Sequence, residues 1–355
     1  PLPDTVISAA SGNGDGSYSA VLSGTRAGEA AVLVTVNGQA LPVRAAAVTL
    51  TATSPVQSTS AISTDKAAYP AGSDIAVTVT LKDANSNPVT GQSSLLTDAA
   101  VRVAGAVSEP GRGWTDNGNG TYTRLYVAET AGTGLTAALR LTGWGADSVS
   151  SPYSVTSGSP VQLNSAIAVD NVTYASGDDI RVTVTLKDAQ GNMVTGQSSS
   201  LTGSSVTVPG SSVKTGTGWT DNADGTYSGT YVAEKAGTQL KATLQLTGWS
   251  GADSSAAYDI TAGEAVPFSS AVSTDKNSYI AGSEIIVTVS LKDKQGNNVA
   301  GESAALTATT VTVPNATQKA GSSWTDHGDG TYTAAYTADT AGTGLKATLQ
   351  LGTWG

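Results

Sequence analysis

The middle of the chain alternates apolar and polar residues with a period of two. The apolar members are aliphatic, and three of the four are β-branched: Ile180, Val182, Val184 and Leu186. Polar or charged residues stand between them: Arg181, Thr183 and Thr185. This period and composition predict a β-strand that buries one of its two faces. Equivalent alternations begin at Ile75 and Ile285, so the same strand is expected at least three times.

The alternating segments recur at a fixed spacing of 105 residues. Residues outside them keep the same spacing, and the clearest examples are Trp114, Trp219 and Trp324. A period near 100 residues corresponds to one autonomous domain, whereas solenoid repeats are about 20–50 residues long. The chain is therefore expected to be a series of near-copies of one domain. Such a series supplies length or valency more readily than a single active site.

Short turn signals separate the predicted strands in each copy. The segment 188–192 follows the alternating strand, and its Gly and Asn tolerate the positive φ of a turn. Tyr227 stands two residues after the Asp224-Gly225 turn, which resembles the tyrosine corner of immunoglobulin-type sandwiches, where the hydroxyl bonds back to nearby backbone. Seven or eight short strands per copy, without helical periodicity, predict an all-β fold: tandem immunoglobulin-like antiparallel β-sandwiches in an elongated array.

The register of the copies sets the expected domain boundaries. Residues 1–53 correspond to the C-terminal part of a truncated repeat, 56–157 and 161–262 to complete repeats, and 266–355 to a repeat that lacks its last strand. Short linkers with proline or glycine, such as 157–160, are expected to keep neighbours in contact. We therefore expect an internal piece of a longer array, with further immunoglobulin-like repeats of the same chain at both ends.

The incomplete last copy also raises a second hypothesis. Its open groove would accept a strand from another molecule by β-augmentation. A peptide matching residues 252–262 would then raise the melting temperature of the last domain. The simpler alternative is that the sequence continues in a longer chain.

Composition and charge exclude several kinds of partner and of chemical site. The net charge is −10 and the pI is about 4.5, with no visible basic patch, so neither nucleic acid nor anionic lipid is expected as a partner. No apolar run approaches the roughly 20 residues of a bilayer span, so this segment is not expected to be membrane-inserted. The sequence contains no cysteine, which excludes disulfides, cysteine-zinc sites and thiol nucleophiles. Each domain is therefore expected to rest on its apolar core.

No catalytic, cofactor-binding or metal-binding residue is predicted. The single histidine, His327, occupies a turn position filled by Asn117 and Asn222 in the other copies, which favours a solvated loop residue over a base or a ligand. Acidic turns such as that of Asp221 and Asp224 offer oxygen ligands for calcium but lack the spacing of an EF-hand. The same residue types satisfy the backbone of a turn, and this structural role is the preferred interpretation.

Aromatic and acidic residues at matching positions suggest two further alternatives. Trp219 and Trp249, with their counterparts in the other copies, offer surfaces for stacking on sugars, but their fixed places favour core and interdomain packing. Acidic residues recur on loops at Glu129, Glu234 and Asp339. A weak surface pair, such as Glu234 with the neighbouring lysine, is expected there rather than the paired carboxylates of a glycoside hydrolase.

Three segments give the chain a family resemblance. They are the run AGSDIAVTVTLKD at 71–83, the turn DAQGN at 188–192, and the DGTY of 224–227 followed ten residues later by Gly237. Together they resemble the bacterial immunoglobulin-like repeats of the intimin/invasin type, and the resemblance covers the whole chain. In that family such repeats form stiff stalks on the surface of Gram-negative bacteria, between a membrane-embedded anchor and, in many members, a receptor-binding tip.

The resemblance implies a non-enzymatic function and no cofactor. The expected role is an extracellular stalk segment of a bacterial surface adhesin, anchored in the outer membrane through a region outside this sequence. It would present a distal binding domain to a protein or glycan on a host or neighbouring bacterial cell. Two alternatives stay open: a repeat array that itself binds such surfaces multivalently, and an accessory spacer of a secreted glycan-active enzyme.

Overall fold

The computed structural model describes residues 4–41, 47–352 and 354. The chain divides into two compact units, one formed by Pro1–Ser159 with Asp188–Asn192 and the other by Pro160–Lys187 with Met193–Gly355. Regular structure in the described residues is β-strand apart from single-turn 3₁₀ helices at Gln57–Thr59, Ser93–Leu95, Gln162–Asn164, Ser198–Ser200 and Ser303–Ala305. In the described part of the chain, none of these helices is long or apolar enough to cross a bilayer.

The first repeat contains one five-stranded sheet and two three-stranded sheets. The centre of the larger sheet is the antiparallel pair Asp74–Thr80 and Thr121–Ala128. Successive side chains of a strand point to opposite faces, so Ile75, Val77 and Val79 all face the core and are fully buried. The strands of this repeat are Ala61–Thr64, Ala68–Pro70, Asp74–Thr80, Val101–Val103, Ala106–Ser108, Thr115–Asp116, Thr121–Ala128, Gly132–Leu135, Ala137–Leu139, Ser148–Val149 and Tyr153–Thr156.

The second repeat reproduces the same three sheets, and the third reproduces part of them. The strands of the second repeat are Ala166–Val169, Thr173–Ala175, Asp179–Thr185, Val206–Thr207, Ser211–Val213, Thr220–Asp221, Thr226–Ala233, Gly237–Leu240, Thr243–Leu244, Asp253–Ser254 and Tyr258–Thr261. Those of the third are Ala271–Thr274, Glu284–Ser290, Val311–Thr312, Ala316–Gln318, Thr325–Asp326, Thr331–Ala338 and Thr348–Leu349. The third repeat therefore keeps the large sheet and a smaller two-stranded one.

Each complete repeat also contains one parallel pair of strands. In the first repeat, the closing strand Tyr153–Thr156 runs parallel to Ala68–Pro70 and antiparallel to Gly132–Leu135. The closing strand is thus paired on both edges, which leaves no open edge between its neighbours. The predicted all-β fold of tandem immunoglobulin-like sandwiches is confirmed, and the parallel pair is a departure from a purely antiparallel arrangement.

Each repeat has a separate apolar core. In the second repeat, Ile180, Val182 and Tyr227 are fully buried, and Trp219 and Trp249 pack against the cluster from its margin. Full burial of one such aliphatic side chain stabilises a fold by about 1.5–3 kcal/mol. The cores therefore supply stability repeat by repeat, without any disulfide.

The residues before the first repeat form short strand pairs in the first unit. In the described residues up to 53, the buried apolar residue is Ala30, whereas Tyr18, which matches the buried Tyr122, is 76% exposed. The strands here are Val6–Ile7, Ser11–Gly12, Tyr18–Ser19, Leu22–Ser23, Gly28–Ala31, Thr35–Val36, Gln39–Ala40 and Ala47–Leu50.

Candidate functional site

Each repeat carries a five-residue turn that begins with aspartate and ends with asparagine, directly after the long alternating strand. The turns are 83–87 (DANSN), 188–192 (DAQGN) and 293–297 (DKQGN). All three aspartates are only 1% exposed. Carboxylates are almost never buried to this extent unless they are partnered, so their partners define what the turn does.

Asp293 is held by four hydrogen-bond donors. Its Oδ1 accepts from the backbone N–H groups of Gln295 at 2.9 Å and Asn297 at 2.8 Å. Its Oδ2 accepts from the backbone N–H of Gly263 at 2.9 Å and from the side-chain amide of Asn297 at 2.8 Å. Gly263 belongs to the linker before the third repeat, so this one carboxylate ties the turn to the linker. Asp83 and Asp188 bind the linker in the same way.

The side chain of Asn297 reaches the repeat that precedes it. Its Nδ2 donates to the backbone carbonyl of Glu234 at 2.6 Å, and its Oδ1 accepts from the backbone N–H of Ala236 at 2.9 Å. The same Nδ2 lies 3.1 Å from Ser176 Oγ, to which it also donates. Glu234 and Ala236 directly follow the long strand Thr226–Ala233. One planar amide therefore donates to and accepts from the same short backbone segment, which fixes the orientation of the turn against it.

The same pair of bonds recurs twice in the first unit. In both cases Nδ2 donates at 2.7 Å and Oδ1 accepts at 2.8 Å, with backbone partners two residues apart: Glu129 and Ala131 for Asn192, and Thr25 and Ala27 for Asn87. We call each Asp–Asn turn, together with these backbone partners, a joint. The three joints use the same two side chains in the same chemical roles.

The joint carboxylates stay ionised over the ordinary pH range. Burial alone raises the pKa of Asp293, but hydrogen bonds from the Asn297 side chain and from the backbone of Gly263 and Asn297 outweigh it, so the pKa lies below the usual value for aspartate. The pKa values of Asp83 and Asp188 are lowered by the same balance. The bonds to the linker are therefore charge-assisted, which makes them stronger than bonds between neutral groups.

The second tryptophan of each repeat also binds the linker. The indole Nε1 of Trp249 donates to the carbonyl of Pro160 at 3.3 Å. Trp144 and Trp354 donate to linker carbonyls at 3.4 Å and 2.9 Å. Trp219 and its counterparts pack against the cores. These contacts accord with the packing interpretation of the tryptophans and assign the second of each pair to the linker.

The remaining candidates have structural partners. His327 is exposed, and its Nε2 lies 2.9 Å from Thr333 Oγ1, a contact that Asn222 makes in the second repeat. Asp221 accepts backbone N–H groups through both carboxylate oxygens, at 2.9 Å and 2.6 Å. Glu234 accepts a hydrogen bond from Ser212 rather than pairing with its neighbouring lysine. Within the described residues, there is no group of three or more His, Asp or Glu placed to hold a metal ion.

The tyrosine after the Asp-Gly turn is a long-range link rather than a local one. The Tyr227 hydroxyl donates to the carbonyl of Val194 at 2.7 Å and accepts from the backbone N–H of Gln197 at 3.1 Å. These partners lie 33 and 30 residues earlier in the chain, whereas the tyrosine-corner comparison predicted nearby backbone. Tyr122 and Tyr332 make the equivalent bonds.

Comparison with known proteins indicates the type of these repeats. Residues 54–157 match the family model described as Invasin, domain 3, and a curated relative is the inverse autotransporter adhesin YeeJ of Escherichia coli strain K12. The repeats are of the intimin/invasin type. YeeJ is 30% identical over 180 residues, which are 50% of this chain and 8% of that protein. The chain therefore spans about 8% of the length of the relative that it matches.

Solved structures of bacterial adhesins are also similar to this chain. FdeC, described as a broadly conserved Escherichia coli adhesin, is 25% identical, with 85% of this chain and 95% of FdeC covered and a TM-score of 0.48. Invasin, described as a bacterial integrin-binding protein, is 16% identical, with 82% of this chain and 60% of invasin covered and a TM-score of 0.39.

The joint of these intimin/invasin-type repeats is not predicted from the sequence, where 188–192 is expected only to turn the chain. A signal was nevertheless present. Aspartate and asparagine keep the two ends of the turn in all three copies, while the residues between them change from ANS to AQG and KQG. A turn alone requires neither end to be invariant, so the retained ends indicated a further contact.

Proposed function

We propose that this chain is an extracellular stalk segment of a bacterial surface adhesin, in which tandem repeats hold a distal binding domain away from the cell. The observation that carries the proposal is the joint. One buried aspartate and one asparagine connect the linker, the turn and the backbone of the preceding repeat, and they do so three times. A stalk needs neighbours that keep a fixed orientation. At each joint, the asparagine bonds to the backbone of the preceding repeat and the charge-assisted aspartate bonds to the linker meet that need.

The proposed location of the stalk is supported by the similarity to the adhesin relative. Similarity to an inverse autotransporter adhesin supports a place on the bacterial cell surface, with outer-membrane anchoring through a region outside this sequence. The stalk domains would be 56–157, 161–262 and 266–355, preceded by part of a repeat at 1–53 and continued by further repeats at both ends. The partner of the distal domain would be a protein or glycan on a host or neighbouring bacterial cell. The chain itself would be non-enzymatic.

The rigidity of the joint between the second and third repeats is directly testable. The sequence has no cysteine, so spin labels attach only where cysteine is introduced. Thr215→Cys and Ala320→Cys place labels at matching exposed positions of the two repeats. Double electron–electron resonance on the full chain is expected to give one narrow distance distribution, which Asn297→Ala broadens. Asn298→Ala removes a neighbouring exposed amide outside the joint and is expected to leave the distribution narrow.

Two results would count against the stalk. A broad distribution in the parent chain would mean that the repeats move freely about the linker. An unchanged distribution in Asn297→Ala, with both repeats folded, would mean that the joint does not set their orientation. Binding of the isolated chain to host or bacterial cells would instead favour an array that adheres by itself.

A further inference from the structure

The second repeat has a small apolar pocket beside the strand Thr226–Ala233 of its large sheet. The volume of the pocket is about 190 Å³, and its walls include the aromatic rings of Trp219 and Tyr231 and the aliphatic side chains of Leu201 and Val213. Among the residues that the structure describes, no charged side chain lines it. All of the lining residues lie between 201 and 231, so the pocket is formed within one complete repeat.

The first repeat has a side chain in the corresponding place. The residues that match Gly229 and Gly203 of the pocket are Arg124 and Asp98. The guanidinium of Arg124 lies over the ring of the matching tyrosine, Tyr126, with Cζ 5.3 Å from the ring centroid. Its Nη1 lies 2.7 Å from Asp98 Oδ1, and the arginine side chain is only 12% exposed. A planar charged group therefore covers the tyrosine ring in the first repeat.

Two glycines open this place in the second repeat. A Cβ atom at Gly203 would meet no atom within 4 Å, so this side of the pocket is open. A Cβ atom at Gly229 would lie 3.1 Å from Cε2 and Cζ2 of Trp219, so the indole lies directly against the backbone of the strand. The pocket therefore keeps the tryptophan and the tyrosine of the first repeat but lacks the arginine and the aspartate that fill the space there.

The lining determines which kind of ligand fits. Aromatic walls favour a planar ring, which packs on them edge-to-face or in an offset stack. The second repeat has no counterpart of Asp98, so a cation in the pocket would lose water without gaining a carboxylate, which is unfavourable. The hydroxyl of Thr202 already bonds to that of Ser204 at 2.8 Å, and the hydroxyl of Thr217 donates to the carbonyl of Lys214 at 2.7 Å. These bonds leave few polar groups to bind the hydroxyls of a sugar.

We propose that this pocket binds a small neutral molecule with a single aromatic ring. The ring would lie against Trp219 and Tyr231, in the place that the guanidinium of Arg124 has in the first repeat. An apolar cavity of about 150 Å³ is large enough to take up benzene, so the volume of this pocket suits one ring. Burial of the ring would also cover apolar surface of the walls, which is favourable. This inference does not depend on the proposed stalk.

Toluene added to the full chain tests the proposal. An NMR titration is expected to show saturable binding of one toluene per chain, with intermolecular NOEs between the toluene and the indole protons of Trp219. Benzylammonium has the same ring with a positive charge and is expected to bind at least about tenfold more weakly, because the pocket offers no carboxylate. Methyl glucoside is expected not to compete with toluene.

A double variant assigns the binding to the pocket. Gly203→Asp with Gly229→Arg introduces the pair that the first repeat has, and it is expected to weaken toluene binding by at least about tenfold, because the arginine would occupy the pocket. The matched control, Leu163→Asp with Val172→Arg, places the same two residue types at positions 93% and 69% exposed in the same repeat and should leave binding unchanged. The NOEs to Trp219 are measured on the parent chain, so they do not depend on how well the double variant folds.

The proposal is overturned if toluene does not bind saturably, if its NOEs arise from residues outside the pocket, or if a folded double variant binds it as well as the control does. Equal binding of benzylammonium, or competition by methyl glucoside, would overturn the assigned ligand class. If N-acetylphenylalaninamide competes as strongly as toluene, the occupant is a side chain of a partner polypeptide rather than a free small molecule. None of these outcomes changes the spin-label distances at the joint, so the two proposals fail independently.

Discussion

Replacing Asp293 by asparagine removes one acceptor from the joint while nearly preserving the shape of the side chain. Both carboxylate oxygens accept two hydrogen bonds each in the native joint. An amide has a single acceptor oxygen, so in either orientation its NH2 group faces two donors. If the NH2 replaces Oδ2, the donors left without an acceptor are the backbone N–H of Gly263 and the side chain of Asn297.

The size of the effect follows from these two donors. A buried donor without a partner costs about 1–3 kcal/mol. The carboxylate is 1% exposed, but Asn297 lies nearer the surface, where water replaces part of its lost bond. We therefore expect Asp293→Asn to lower the free energy of unfolding of the third repeat by about 2–4 kcal/mol, a large part of the 5–15 kcal/mol typical of a domain.

Native-state hydrogen exchange measures this change repeat by repeat. Amides of Glu284–Ser290 report on the third repeat, and amides of Asp179–Thr185 report on the second. At about 1.4 kcal/mol per tenfold, the third-repeat amides should lose about 30- to 700-fold in protection, while the second-repeat amides change little. Glu302→Gln removes the same charge from an exposed position of the same repeat and serves as the control.

Equal protection in Asp293→Asn and Glu302→Gln would refute the reasoning, since it would mean that the buried acceptor contributes nothing to stability. A loss confined to the turn 293–297, with Glu284–Ser290 unchanged, would also refute it. In that case the carboxylate would order the turn without supporting the repeat.

Three further predictions concern the second repeat. Tyr227→Phe leaves the buried carbonyl of Val194 and the backbone N–H of Gln197 without their hydrogen-bond partner. Urea denaturation should therefore show a loss of about 2–4 kcal/mol in the free energy of unfolding, and an unchanged midpoint would contradict this. Gly225→Ala should cost about 1–3 kcal/mol more than Gly216→Ala in the same assay. Both glycines have φ near +80°, but only at Gly225 would the new Cβ meet another atom, Met193 Cβ at 2.5 Å. Burial raises the pKa of Tyr258 to about 12, above its unfolded value of about 10. The stability that the neutral Tyr258 side chain contributes is therefore complete below pH 10 and is lost as the pH rises toward 12. Circular dichroism against pH should follow that loss, and a melting temperature independent of pH from 9 to 12 would contradict it.

The large sheet was predictable because the residues that specify its central strand are close together in the sequence. Ile180, Val182 and Val184 are each fully buried, as their alternation with polar residues predicts. A one-residue slip would move every side chain of the strand to the opposite face, so the pattern also fixes the orientation of the strand. The fixed period then extends the prediction to Ile75 and Ile285 in the other copies.

The pairing of the closing strand was not predictable from the same pattern. Tyr258 and Ile260 alternate with polar residues whether their strand runs parallel or antiparallel to Thr173–Ala175. Direction depends on the path of the chain between the strands, which alternation does not encode. The partners of Tyr227, about 30 residues earlier in the chain, were hidden for the same reason.

The joint was hidden for a different reason, because its partners are backbone groups. Asn297 binds the carbonyl of Glu234 and the N–H of Ala236. Every residue has a backbone carbonyl, and every residue but proline has a backbone N–H. The equivalent carbonyl belongs to Thr25 in one joint and to Glu129 in another, so no complementary side chain marks the contact. Comparison between copies is the one sequence-level route to such a contact. A turn whose middle residues vary while its polar ends stay the same is more restricted in sequence than its own backbone requires. The retained ends therefore indicate a contact with a neighbouring repeat.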